Sequence, residues 1–218
     1  DTAASIFMRR FFPEVFRLYD KVIPGAMRAD LWRLAVIYKY GGVYFDTDAA
    51  SVVPLKSFIW RNASVVTGIG ASRDFHQWAL LYAPRHPIIL RCLHEATERL
   101  KLVYEGYANG AVAQTTGPVA FHAGVKAALT AAGCPFRFTP EMRLQFNPRT
   151  TLQYLPNHNC GKDIGVLQIF AGDFLGHNVL FKAAGVDDEK NTVSAHYSIA
   201  QRRYSSLFKT EGRGVGKK

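Results

Sequence analysis

Arg28-Ala-Asp-Leu-Trp-Arg-Leu-Ala-Val-Ile-Tyr-Lys-Tyr-Gly-Gly-Val-Tyr-Phe-Asp-Thr-Asp48 reads as a helix, a Gly-Gly stop, a short apolar strand and two carboxylates spaced i, i+2. Leu31, Leu34, Ala35 and Tyr38 recur at i, i+3, i+4 and i+7, the spacing of one buried helix face. Asp30 and Arg33 are three apart on a neighbouring face, so both can reach one ligand. Gly41 and Gly42 supply the left-handed backbone that ends a helix. Val43, Tyr44 and Phe45 form a short core strand. Asp46 and Asp48 then emerge at its carboxyl end, where open α/β sheets bind ligands.

This arrangement suits the departure of a nucleoside diphosphate from a sugar. Negative charge grows on the diphosphate as the bond breaks, and a hard divalent ion held by Asp46 and Asp48 can neutralise it. Oxygen ligands of this kind favour Mg²⁺ or Mn²⁺. Arg33 adds a fixed positive charge for phosphate or sugar. Asp30 can accept hydrogen bonds from ribose or sugar hydroxyls. An Asp-x-Asp pair alone is common on solvated loops. Asp30, Arg33 and Gly-Gly at fixed offsets make it specific.

The run RADLWRLAVIYKYGGVYFDTDAASVVPL (28–55) resembles the sugar-binding, DXD-containing region of glycosyltransferase family 32, and is similar to initiating α-1,6-mannosyltransferase-like members. HQWALLYAPRHPIIL (76–90), TTGPVAFHAGV (115–125) and VSAHYSIAQRR (193–203) resemble later elements of that family, in its order. The resemblance implies an α/β fold of the GT-A type: a Rossmann-like nucleotide-sugar-binding sheet, here expected to lack its first strand or strands, with the metal site at its edge. It implies retention of the donor's α configuration and a hexose donor, with GDP-mannose favoured over a UDP-sugar. The acceptor would be a glycan or glycolipid hydroxyl. Asp30, Arg33 and Asp46 would act on the donor, Gly117 would bring a backbone N–H to it, and Asp46, Asp48 and His196 would hold Mn²⁺ or Mg²⁺. The family also carries an earlier strand and a membrane anchor. The expected location is the Golgi or another secretory lumen, with membrane association through an anchor preceding this chain.

The 218 residues are 48% hydrophobic, enough for one core. No apolar run approaches the roughly 20 residues that span a bilayer. Residues 1–208 are expected to form one catalytic domain truncated at its start, and 209–218 a basic disordered tail. The net charge of +10 has no long basic run behind it, so no nucleic-acid partner is expected. It suits an anionic nucleotide sugar or an anionic membrane surface. Cys92, Cys134 and Cys160 have no metal-ligand spacing: Cys92 falls on a helix as a core residue, and pairing of the other two stays open. Asn62-Ala63-Ser64 is a glycosylation sequon.

Alternating elements support a layered α/β fold. Residues 2–20 read as helix interrupted at Pro13, and 26–40 as the motif helix. Strands are expected at 43–45, 51–53, 64–69, 78–82, 152–155, 166–170 and 193–195. One helix opens at His86-Pro87 and another at Thr116-Gly117-Pro118, with Thr116 as its cap.

Gln77 and Trp78 are candidates for the sugar pocket, and Asp173 lies in a loop similar to one near the family's site. The family often continues past its C-terminal His with a Ser-Trp pair. Here Gln201 or Arg203 stands as an alternative phosphate contact. The remaining histidines have no recognisable metal spacing. Two other functions compete. One is an inactive transferase homologue or carbohydrate-binding module. The other is a haloacid-dehalogenase-like phosphatase with Asp46 as nucleophile, a reading weakened by Ala50 and by the unused Asp30 and Arg33.

Overall fold

The computed structural model describes residues 2–47, 49–51, 54–69, 74–134, 158–159, 161–171, 181–183 and 208–209. In chain order the elements are α1 (Thr2–Phe11), α2 (Pro13–Tyr19), α3 (Gly25–Tyr40), β1 (Gly42–Phe45) and β2 (Ala49–Ser51). After a 3-10 turn at Leu55–Ser57 come β3 (Ala63–Ile69), β4 (Ala79–Tyr82), α4 (Pro87–Tyr104), α5 (Val112–Thr115) and α6 (Pro118–Ala131). They are followed by β5 (His158–Asn159), α7 (Gly161–Ile164), β6 (Val166–Ala171) and β7 (Phe181–Ala183).

The fold is α/β. Its five-stranded sheet has the order β1-β4-β3-β6-β5, and β2 pairs with β7 in a separate two-stranded sheet. The larger sheet is mixed: β3 and β6 run parallel, and its other pairs are antiparallel. The helices α4, α5 and α6 lie in the connection between those two parallel strands.

Helix α3 is the long element that positions the site. The predicted stripe is buried at Leu31, Leu34 and Ala35, and Tyr38 packs against the core half-buried. The buried surface is wider than that stripe, because α3 packs against α4 on one side and against β1 and β4 on another. Asp30 and Arg33 are consequently interior residues, at 0% and 6% exposure.

The helix ends where the glycines require it to. Gly41 has φ +66° and its N–H bonds Ile37 O at 2.8 Å. A Cβ there would sit 2.5 Å from Pro84 N. The neighbouring Arg85 N–H donates to Tyr38 O at 2.6 Å, tying the end of α3 to the turn after β4. A side chain at 41 would thus meet backbone that α3 itself holds in place.

Helix α4 opens as predicted, with Pro87 at its first turn and His86 as its cap. His86 Nδ1 accepts from Ile88 N–H, and Nε2 lies 3.0 Å from Ile164 O, so the ring is a neutral Nε2–H tautomer. Its pKa is lowered by burial, which favours that form. Cys92 is a free, fully buried thiol in α4, and Cys134, just past α6, is disulfide-bonded. Strand β6 covers the segment expected at 166–170. The strands expected at 152–155 and 193–195, together with residues 52 and 53, Cys160 and tail residues 210–218, lie outside the described residues. Among the described residues no helix is long and apolar enough to cross a membrane.

Helices α4 and α6 pack closely at Gly124. An added Cβ would lie 2.6 Å from Cys92 Cα and 2.9 Å from its sulfur. Gly124→Ala should therefore lower stability by about 1–3 kcal/mol through overpacking, read as a shift of the urea midpoint at unchanged slope. A neutral effect would show that the two backbones separate freely.

Candidate functional site

The site is built around Arg33. One guanidinium nitrogen, Nη2, lies 3.3 Å from Asp30 Oδ1, and the other, Nη1, lies 3.0 Å from Asp46 Oδ1. Nη1 is also 3.4 Å from the carbonyl of Gln77. The guanidinium carbon sits 4.9 Å from the centre of the Tyr44 ring. Charge at each end and an aromatic face beneath it hold the cation in place. Tyr44 also donates its hydroxyl to Asp46 Oδ1 at 2.7 Å.

Strand geometry explains this second contact. Tyr44 and Asp46 are two apart, so they project to one side of β1. Asp46 N–H bonds Trp78 O at 2.9 Å, extending the β1–β4 pairing one step past the strand. The Asp46 backbone is thereby fixed at the carboxyl end of β1, and its side chain stays partly exposed.

On the other side of Arg33, Thr116 Oγ1 donates to Asp30 Oδ2 at 2.9 Å. Gln77 Nε2 donates to Thr116 O, also at 2.9 Å. Residues 30, 33, 46, 77 and 116 are thus one hydrogen-bonded cluster drawn from α3, the end of β1, the approach to β4 and the turn before α6. Asp30 Oδ1 faces Arg33 without hydrogen-bond alignment, and Gln77 Oε1 is buried with no hydrogen-bond partner among the described residues. The cluster therefore retains acceptor capacity.

Two expectations change. Thr116 does not cap α6: the cap position is Gly117 and makes no side-chain bond, because the Thr116 hydroxyl is spent on Asp30. Gly117 does not offer its N–H to a ligand either. Both Thr116 N–H and Gly117 N–H donate to Val112 O, at 3.1 and 3.0 Å. The glycine is needed for another reason, since a Cβ there would lie 2.8 Å from Ala113 Cα. Its role is to let the α5–α6 corner close.

Tyr44 is the residue that sequence reasoning missed, having been assigned to the strand's core. Its i, i+2 spacing to Asp46 was the available signal. Asp48, Asp173, His177, His196, Gln201, Arg202 and Arg203 lie outside the described residues. Among the described residues no group of three His, Cys, Asp or Glu side chains gathers as a metal site. His122 Nδ1 accepts from Phe75 N–H with Asp74 Oδ1 3.5 Å away, His94 is exposed on α4, and His76 packs on Trp78 with ring centres 5.1 Å apart.

Burial sets two opposed titrations. It raises the Asp30 carboxyl to about 6, against the lowering effects of Arg33 and the Thr116 hydrogen bond. It lowers the His76 imidazole to about 4; although that residue keeps some exposed surface, its Nδ1 is buried and unpartnered among the described residues. Between pH 4 and 6 native Asp30 holds a proton that the unfolded chain has released, so its contribution to stability falls as pH rises. His76 in the same window is neutral when folded and protonated when unfolded, so its contribution rises with pH. The two slopes oppose. Asp30→Asn should remove the falling one, steepening the rise of stability between pH 4.5 and 6 by up to about 1.4 kcal/mol per pH unit. Urea titrations at the two ends of that window measure it, and an unchanged slope would mean Asp30 titrates alike in both states.

Residues 4–65, which hold Asp30, Arg33 and Asp46, match the family described as glycosyltransferase sugar-binding region containing DXD motif. An alpha-1,4-N-acetylglucosaminyltransferase of Homo sapiens is 30% identical over 92 residues, 38% of this chain and 25% of that protein. Initiation-specific alpha-1,6-mannosyltransferases are 28% identical over 114 residues in Schizosaccharomyces pombe and 25% identical over 140 residues in Candida albicans. Those matches cover 42% and 50% of this chain, and 29% and 36% of the yeast proteins. The chain thus spans only a quarter to about a third of the relatives it matches. A solved structure, the PaToxG glycosyltransferase, aligns over 49% of this chain and 36% of its own, with a TM-score of 0.40 and 22% identity. Residues 4–65 are thus similar to the sugar-binding, DXD-containing region of glycosyltransferases.

Proposed function

We propose that the chain is the donor-binding part of a metal-dependent, retaining glycosyltransferase of GT-A type that moves a hexose from a nucleotide sugar to a hydroxyl of a glycan or glycolipid. The observation that carries the reading is the buried Asp30–Arg33–Asp46 cluster at the end of β1, inside the matched region. A buried carboxylate with an unaligned oxygen, fixed beside a guanidinium, is a ready acceptor for sugar hydroxyls. In this reading Asp30 takes a donor hydroxyl, and Arg33 holds Asp30 and Asp46 at a set separation. Asp46, more exposed, faces ribose or the ion. Asp30 and Gln77 are closed off from bulk water, so a hydroxyl reaches them only if the site opens to admit it.

The donor set fits a hard divalent ion. Asp46 Oδ1 is engaged by Arg33 and Tyr44, so the second oxygen is the one for a metal. Asp48 and His196 would be the other protein ligands, with phosphate oxygens and water completing the shell. When bound, Mn²⁺ or Mg²⁺ neutralises charge on the departing diphosphate. The protein's own contribution is to orient the sugar and exclude water around it.

The relatives' names include both mannosyl- and N-acetylglucosaminyltransferases. GDP-mannose remains the favoured donor, on the resemblance of residues 28–55. A secretory lumen such as the Golgi suits the exposed turn that carries Asn62 and the disulfide at Cys134.

A panel of GDP- and UDP-sugars with Mn²⁺, followed by release of nucleoside diphosphate, tests the function. Turnover should stop with a chelator and in Asp48→Asn, and phosphomonoesters should not be cleaved. A folded protein that neither binds nor turns over any nucleotide sugar would be an inactive homologue instead.

Two substitutions probe the cluster. Arg33→Lys keeps charge but loses the planar fork that spans two carboxylates, so kcat/KM should fall by roughly a hundredfold. Unchanged kinetics would remove Arg33 from the mechanism. Tyr44→Phe keeps the ring beneath Arg33 and deletes only the bond to Asp46. It should change stability by less than about 1.5 kcal/mol. It should lower kcat/KM, and raise the Mn²⁺ needed for half-activity, by roughly 10- to 100-fold. A normal Mn²⁺ requirement would show that Arg33 alone positions Asp46.

A further inference from the structure

The two buried glutamines among the described residues differ in a way that bears on ligand recognition. Gln168, fully buried on β6, uses both ends of its amide: Oε1 accepts from Trp60 N–H at 3.0 Å and Nε2 donates to Phe58 O. Gln77, at 2% exposure, uses one end only. Its amide orientation is fixed by chemistry, since the atom 2.9 Å from the Thr116 carbonyl must be the nitrogen. Oε1 is then a buried acceptor with no hydrogen-bond partner among the described residues. The backbone carbonyl of Gln77 faces Arg33 Nη1, and Thr116 also donates to Asp30, so this oxygen belongs to the same cluster as the donor-binding carboxylate.

A buried amide oxygen left unbonded is unfavourable, and native structures seldom tolerate one without reason. Resting on the donor-site reading above, we propose that Gln77 is a specificity-determining residue whose Oε1 accepts a hydrogen bond from one hydroxyl of the donor sugar. The atom of the Gln77 amide left without a partner is an acceptor, since Thr116 O holds Nε2. It therefore selects for an O–H at a single ring position and rejects groups that can only accept. Asp30 Oδ1 is the second acceptor in the cluster, and the pair is complementary to a ligand that presents two hydroxyls. An anionic phosphate would find no donor at an amide oxygen paired with a carboxylate oxygen. A sugar hydroxyl finds an acceptor.

The test is a binding cycle between protein and ligand. Whichever of GDP-mannose and UDP-N-acetylglucosamine binds more tightly serves as probe, with its parent nucleoside diphosphate and its singly deoxygenated and singly fluorinated sugar analogues. Calorimetry on the wild-type chain should find one hydroxyl whose removal weakens binding by roughly 10- to 100-fold. Fluorine at that position should be as poor as hydrogen, since it fills the space but cannot donate. In Gln77→Ala the parent sugar should lose about the same factor, the analogue at that position should lose nothing further, and the nucleoside diphosphate should bind as in wild type. Additive losses, or equal weakening of the bare diphosphate, would overturn the assignment while leaving the donor site in place. If Gln77→Ala does not fold, the analogue series on the wild-type chain still decides: no hydroxyl mattering by more than threefold would overturn it. Absence of any nucleotide-sugar binding by the folded wild-type chain would overturn the donor-site reading itself.

Discussion

An arginine with 6% of its surface exposed must find its counter-charges inside the protein, and that requirement organises this molecule. Arg33 cannot shed its proton, so each element around it has to bring an acceptor. Asp30 comes from the same helix one turn back. Asp46 comes from the end of β1, the Gln77 carbonyl from the approach to β4, and the Tyr44 ring closes the face. The abrupt stop at Gly41 follows from this. Strand β1 must begin at once beside the helix if its carboxyl end is to deliver Asp46 to Arg33.

The balance of charge at the centre does not favour stability. One cation faces two carboxylates, and burial drives Asp30 toward its neutral form despite the neighbouring arginine. An apolar residue in place of Asp30 would spare that desolvation. Buried acceptors that no donor among the described residues satisfies add to the same account. Such concentrations of unfavourable features mark places where a ligand completes the structure.

Much of this was legible before any coordinates, and the legible parts share a cause. The α3 stripe, the Gly-Gly stop and the Asp30, Arg33 and Asp46 offsets are local, and helix and strand periodicity alone carries them. Long-range partners were harder. Thr116 and Gly117 sit before a proline in a pattern that reads as a helix cap, and nothing local shows that the hydroxyl turns to Asp30 or that the Gly117 N–H turns back to Val112. Tyr44 was hidden differently. A tyrosine in an apolar strand reads as core until its two-residue spacing to Asp46 is read as a shared face. The parallel pairing of β3 with β6 joins segments about a hundred residues apart, which no local pattern reveals.

The contact of Gly124 with Cys92 has a reach beyond the packing of two helices. Thr116 lies just before the start of α6, eight residues from Gly124, roughly 12 Å along the helix axis. That contact is a fulcrum and α6 is a lever, with the Thr116 hydroxyl near its far end. Tilting α6 by a few degrees about Gly124 displaces that hydroxyl by several tenths of an ångström, enough to stretch its bond to Asp30. A bulkier side chain in the core could thereby distort a cluster that it never touches, and would be mistaken for a lesion of that cluster.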